Sequence, residues 1–242
     1  MHVAELWRYP VKSLRGERLP SVRLDRGGMN GDRLVHVRGQ RGVVTARTRR
    51  ALLGLGASTH SDGTIRIEGV PWDDARSLRR VRDAAGAEVE LAAYCGPERF
   101  DVLPLLVATD GAIAAFGHDG RRLRPNIIIG GVSGDAERDW PRRALRIGDT
   151  LIGVESLRAR CIVTTIDPDT GELDTGVLRE INSRFDGKLA LNCWVAHAGE
   201  IAVGDPVTLA EQSPPPPPRG GWILGAPYEI GSAEHDATPL PA

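Results

Sequence analysis

Cysteine is scarce: the 242 residues hold three, Cys95, Cys161 and Cys193. An odd count argues against a disulfide framework. No two of them have the close spacing of a zinc knuckle, and no four-cysteine run is present to carry an iron–sulfur cluster. A metal held by this chain would therefore use one cysteine at a time, or arrive with most of its ligands supplied by a cofactor. Long apolar runs are also missing. The most apolar stretches, residues 103–108 and 127–131, are far too short to span a bilayer. The first ten residues lack the basic segment and apolar core of a secretory signal. An excess of one charge is absent too, with a net charge of −1. No strongly basic face is implied, so nucleic acid is not the expected partner. These absences point to a cytoplasmic protein with neither a membrane nor a nucleic-acid partner.

What is present fits a soluble globular chain of one large or two small domains, with 41% hydrophobic and 26% charged residues. Glycine (29) and proline (17) are frequent while aromatics make up only 5%, and short apolar runs between turn formers favour β structure. Strand patterns fall at residues 3–8, 18–24, 34–37, 43–45, 64–67 and 89–91, and residues 48–55 read as a short helix. A second unit begins near residues 101–104. It carries helical patterns at 110–116 and 175–184. Strand patterns there lie at 124–129, 145–147, 151–154, 160–166, 189–196 and 206–209, with a hairpin signal at Gly148-Asp149. The expected fold is mainly β with a few short helices (α+β). Residues 1–100 form a β-barrel-like domain, 101–210 a second β-barrel domain, and 211–242 a tail. Five consecutive prolines at 214–218 make the start of that tail a stiff polyproline segment, and the rest reads as disordered.

The densest polar signal is Arg158-Ala159-Arg160-Cys161, followed by Thr164, Thr165 and Asp167. Arginines beside a cysteine favour its thiolate, a soft ligand suited to a heavy transition metal. The same spacing also suits a small core residue on a strand. Lys12 and Ser13, adjacent after the first strand, can hold a phosphate as point charge and donor. Arg33 leaves a glycine turn, Arg47 follows Thr45-Ala46, and Arg124 and Asn126 bracket Pro125.

The order YPVKS (9–13), GDR (31–33), TAR (45–47), RPNI (124–127), RCIVTTIDPDTG (160–171) and GEIAVGDPV (199–207) resembles the MOSC family. More narrowly, it is similar to the mitochondrial amidoxime-reducing component and its bacterial relatives. The resemblance runs from about residue 3 to 209. It implies an N-terminal MOSC β-barrel domain followed by a MOSC β-barrel domain. It also implies a molybdenum-pterin cofactor, with Cys161 as the metal's protein ligand and catalytic centre. Lys12, Ser13 and Arg33 match the phosphate-holding positions. Arg124, Asn126 and Arg160 match cofactor contacts, with Thr109 and Asn192 as looser correspondences and Arg47 without a defined role. Many relatives carry a second hydroxyl residue where Ala112 stands here. Cys95 and Cys193 match no cofactor role and read as structural.

The activity this implies is reduction of N-hydroxylated small molecules. No iron–sulfur domain is attached, so electrons would come from a separate carrier of ferredoxin, flavodoxin or cytochrome type. The mitochondrial members have a targeting and anchoring segment, whereas this sequence starts almost directly at its first strand. Two alternatives stay open: a sulfur-carrier or cofactor-handling protein using Cys161, and a non-catalytic binding module using the proline run.

Overall fold

The computed structural model describes residues 1–93, 99–211 and 214–215 of the chain. In chain order its strands are β1 (His2–Arg8), β2 (Glu17–Leu19), β3 (Ser21–Asp25), β4 (Gly28–Met29), β5 (Val35–Gly39), β6 (Gly42–Val44), β7 (Ala57–Thr59), β8 (Ile65–Ile67) and β9 (Val70–Pro71). There follow β10 (Glu90–Ala93), β11 (Leu105–Thr109), β12 (Ile127–Gly130), β13 (Ala144–Ile147), β14 (Thr150–Ala159), β15 (Lys188–His197), β16 (Gly199–Ala202) and β17 (Val207–Ala210). The helices are α1 (Ala75–Ala85), α2 (Asp110–Phe116) and α3 (Thr175–Phe185). The fold is mainly β, as the composition and turn spacing predict.

Eight strands form one sheet in the order β17-β13-β14-β15-β11-β12-β1-β2. Its neighbours are antiparallel except β11 and β12, which are parallel and joined through α2. Three small sheets run β10-β5-β6, β16-β3-β4 and β7-β8-β9. The expected barrels are not closed by a strand ladder among the described residues. The large sheet curls until His2 makes a single bridge to Pro206, backed by Val3 N–H donating to Asp205 O at 2.9 Å. Strands β1 and β2 thus belong to the sheet otherwise built from residues 105–210. In the opposite sense, β16 pairs with β3.

Local chemistry explains most elements. Ile147 faces Thr150 across the two-residue turn Gly148-Asp149, where Gly148 takes φ 55. A tight hairpin needs that positive φ, and glycine adopts it without strain. Thr109 caps α2 by accepting the Ala112 N–H, and Gly117 ends the helix in the left-handed region. In α3, Val177, Ile181 and Phe185 share one face and pack on Phe116 of α2. The main core lies within the large sheet and includes Val3, Leu6, Val107, Ile129, Leu145 and Leu191. A second core, with Val35, Val37, Ile65 and Ile67, lies beneath α1 at Val81 and Ala85.

Several expectations need correction. Helix α1 lies where the sequence shows no clear helical pattern; Asp74 caps it by accepting the Arg76 N–H. Residues 18–24 are two strands, because Pro20 lacks the N–H to continue one ladder: β2 pairs with β1 and β3 with β16. Residues 48–55 contain a 3-10 turn at Arg50–Gly54 in place of an α-helix. Residues 160–166 are not a strand; the chain is extended at Cys161 and then winds into a 3-10 turn at Ile162–Thr165. Cys95 and the tail beyond Pro215 lie outside the described residues.

Candidate cofactor site

The loop after β1 is pinned by its backbone. Tyr9 N–H donates to Asp32 Oδ1 at 2.8 Å, Arg33 N–H to Tyr9 O at 2.7 Å, and Lys12 N–H to Val35 O at 2.8 Å. These bonds bring Lys12, Ser13 and Arg33 together from two segments. Ser13 Oγ accepts the Ala46 N–H at 3.0 Å, which ties in the Thr45-Ala46-Arg47 loop. Arg33 also pairs with the buried Asp32. The Tyr9 ring carries two guanidinium groups, Arg124 at 4.2 Å and Arg33 at 5.0 Å from its centroid. Ser13, Arg33 and Arg124 all adopt positive φ, at 73°, 54° and 56°. Left-handed backbone at non-glycine residues costs free energy and tends to gather at functional sites.

Cys161 stands half-buried where β14 gives way to the 3-10 turn. Its carbonyl accepts Thr164 N–H at 3.0 Å and Thr164 Oγ1–H at 2.8 Å, and Thr165 Oγ1–H donates to Ile162 O at 2.6 Å. The two buried threonines thus stabilise the turn that presents the sulfur. Arg47 and Arg158 both lie close enough to that sulfur to interact with it electrostatically. Arg160 donates from Nη2 to Leu123 O at 2.8 Å. Its Nε and Nη1 are shut off from solvent without a hydrogen-bond partner. Burial, with Arg158 adding repulsion, pulls its pKa down to about 10.

These segments surround one cleft. Among the described residues its walls carry six cationic side chains (Lys12, Arg33, Arg47, Arg124, Arg158, Arg160) and one carboxylate, Asp101. Asp101 accepts from Lys12 Nζ at 3.1 Å, Arg47 Nη2 at 2.7 Å and Arg158 Nη2 at 3.1 Å. Burial alone would raise its pKa, but the three cations outweigh it and hold the carboxyl far below the usual range. Lys12 is lowered by burial, with Asp101 pulling the other way. The site therefore concentrates positive charge around one thiol, with orphaned donors on Arg160. That donor set fits an anionic group that brings its own metal ligands. Among the described residues no cluster of three or more His, Cys, Asp or Glu side chains is placed to hold a metal ion by itself.

Residues 1–93 match the MOSC N-terminal beta barrel domain and residues 112–208 match the MOSC domain. The chain belongs to the MOSC family. Among its relatives, mitochondrial amidoxime-reducing component 1 of Homo sapiens is 27% identical over 87% of this chain and 83% of that protein. The molybdenum cofactor sulfurase of Bombyx mori is 34% identical over 38% of this chain but only 11% of its own length. A crystal structure of the YUAD protein from Bacillus subtilis aligns over 87% of this chain and 96% of that one, at 12% identity. The two superpose with a TM-score of 0.44.

Lys12, Ser13, Arg33, Arg124, Asn126, Arg160, Cys161 and Asn192 line this one cleft of the MOSC chain. Thr109 does not line it. Its hydroxyl caps α2 and donates to the buried carboxylate Glu137 at 2.9 Å, so it is committed to the fold. Asn126 is at the cleft but occupied at both ends: Nδ2 donates to Trp7 O and Oδ1 accepts Leu106 N–H, both at 3.2 Å. Asn192 Nδ2 donates to Ser156 Oγ at 3.1 Å. Cys193 is fully buried in the main core, where burial pushes its thiol up. Asp101 and the role of Arg158 were missed. No local pattern marks Asp101, because its three partners come from elsewhere in the chain. Trp7, Tyr9, Arg15 and Arg121 line a second cavity, which shares Arg124 and Val163 with the first.

Proposed function

We propose that this MOSC protein is a molybdenum-cofactor-binding oxidoreductase that reduces N-hydroxylated compounds, with Cys161 as the protein's ligand to the metal. The observation that carries this reading is the convergence on one cleft of Cys161, six cationic side chains and the orphaned nitrogens of Arg160. A pterin phosphate is an anion, and a bound anion would take up those donors. Lys12, Ser13 and Arg33 would hold the phosphate; Arg124 and Arg160 would neutralise and orient the remainder. The cofactor, when bound, supplies the two-electron chemistry by which an N–O bond accepts two electrons and two protons to leave an N–H group and water. The chain supplies ligation, orientation and charge. Electrons would come from a separate ferredoxin-, flavodoxin- or cytochrome-type carrier. The extent of the match to an amidoxime-reducing component, most of both chains, supports this activity.

A Cys161→Ala variant tests it. The expected outcome is loss of N-reductase activity and of the normal molybdenum coordination, with thermal unfolding close to that of the parent. The side chain is small and half-buried, so few packing contacts are lost. Full activity with full molybdenum content in the variant would refute the assignment. The shorter match to a molybdenum cofactor sulfurase favours a second reading, a cofactor-handling or sulfur-carrying protein using the same cysteine. Rapid exchange of bound cofactor between protein molecules would select that reading, and slow exchange the reductase.

A further inference from the structure

Three cations from three separate segments meet on one carboxylate in the cleft. Arg47 Nη2 and Arg158 Nη2 both donate to Asp101 Oδ2, at 2.7 and 3.1 Å, and Lys12 Nζ donates to Oδ1 at 3.1 Å. Lys12 Nζ also donates to the neighbouring Arg99 O at 2.8 Å. The segment 99–101 therefore occupies the lysine that the function above gives to the ligand's phosphate. We propose that Asp101 is a resident counter-ion, displaced from Lys12 when a phosphate group enters the cleft, and that it sets the cleft's affinity for phosphates.

The physical argument is a balance of charge. Three cations held this closely repel one another, and burial raises that cost. Asp101 neutralises part of it. A phosphate carries more charge and more acceptor oxygens than a carboxylate, so it competes for the same donors. Once it is bound, Asp101 is a like charge beside it. Each phosphate that binds must overcome this competitor. The counter-ion role rests on the proposed function only for the identity of the natural ligand.

The probe is inorganic pyrophosphate, titrated calorimetrically into the full chain made in a host without the molybdenum cofactor. Asp101→Asn keeps the side chain's shape and an acceptor for Lys12 but removes its charge. It should bind pyrophosphate about tenfold tighter than the parent. Lys12→Ala should weaken binding in both backgrounds. Equal or weaker binding by Asp101→Asn would overturn the proposal, as would no binding by either protein. A crystal structure of the unmutated chain with pyrophosphate makes the test independent of how the variant folds. Lys12 Nζ should have left Asp101 for the phosphate; a phosphate bound with the Lys12–Asp101 pair intact would overturn the proposal. Molybdenum analysis of the parent from a cofactor-producing host separates the two ideas. Metal-loaded parent with unchanged Asp101→Asn affinity defeats the counter-ion alone. Metal-free parent with tighter Asp101→Asn binding defeats the cofactor reading alone.

Discussion

Tyr9 shows how much one side chain can organise. Its ring lies beneath Arg124 and Arg33, its hydroxyl donates to Pro125 O at 3.2 Å, and its backbone N–H is taken by Asp32. Burial pushes its phenol up to about 12, although Arg124 and Arg33 pull it down. The unfolded chain ionises near 10, so Tyr9's contribution to stability is complete below that pH and is lost as pH rises towards 12. Tyr9→Phe keeps the ring and removes the hydroxyl. At pH 8 it should be less stable by about 1 kcal/mol, from the lost hydrogen bond. By pH 11 the difference should shrink or reverse, because the phenylalanine does not ionise. Urea unfolding at both pH values measures it, and a difference that stays constant would rule out the raised phenol.

Among the elements, α1 closes the second core although its sequence is crowded with arginine. Its buried positions are Ser77, Val81 and Ala85, and the remaining turns face outward. The helix start depends on Asp74, whose carboxylate accepts the Arg76 N–H at 2.7 Å. Asp74→Ala should lower Tm by about 2–4 °C. Calorimetry that finds no change would mean the cap contributes nothing. The 3-10 turn at Ile162–Thr165 is the other decisive element. Had residues 160–166 continued β14, Cys161 would have been one more alternating strand position. Winding the chain there instead gives the sulfur its place beside Arg47.

At the scale of the whole molecule, the two family segments are interlocked by strand exchange. β1 lies between β12 and β2 in the large sheet, and Val3 and Leu6 are fully buried in its core. A fragment of residues 1–100 would expose those side chains and leave one edge of β1 unpaired. It should show no cooperative unfolding transition, whereas the whole chain should; a fragment that melts cooperatively would contradict the interlocking. Charge is also organised at this scale. A net charge of −1 conceals a cleft with six cations and one carboxylate on its described walls. Composition averages over the surface, while binding depends on where the charges gather.

The sequence by itself determined the elements whose signals lie among neighbouring residues: the hairpin at Gly148-Asp149, α2 between Thr109 and Gly117, and α3 with its apolar face. The family resemblance also named Lys12, Ser13, Arg33, Arg124, Arg160 and Cys161, which line one cleft. Helix α1 escaped because four arginines mask its few apolar positions. Only the tertiary structure decided the rest. Thr109 was drawn away from the cleft by Glu137, a buried carboxylate that needs its donors. Asp101 was brought to Lys12, Arg47 and Arg158 from a separate segment. Hydrogen-bond satisfaction and charge balance are sums over groups distant in the chain, and no window of sequence contains all their members.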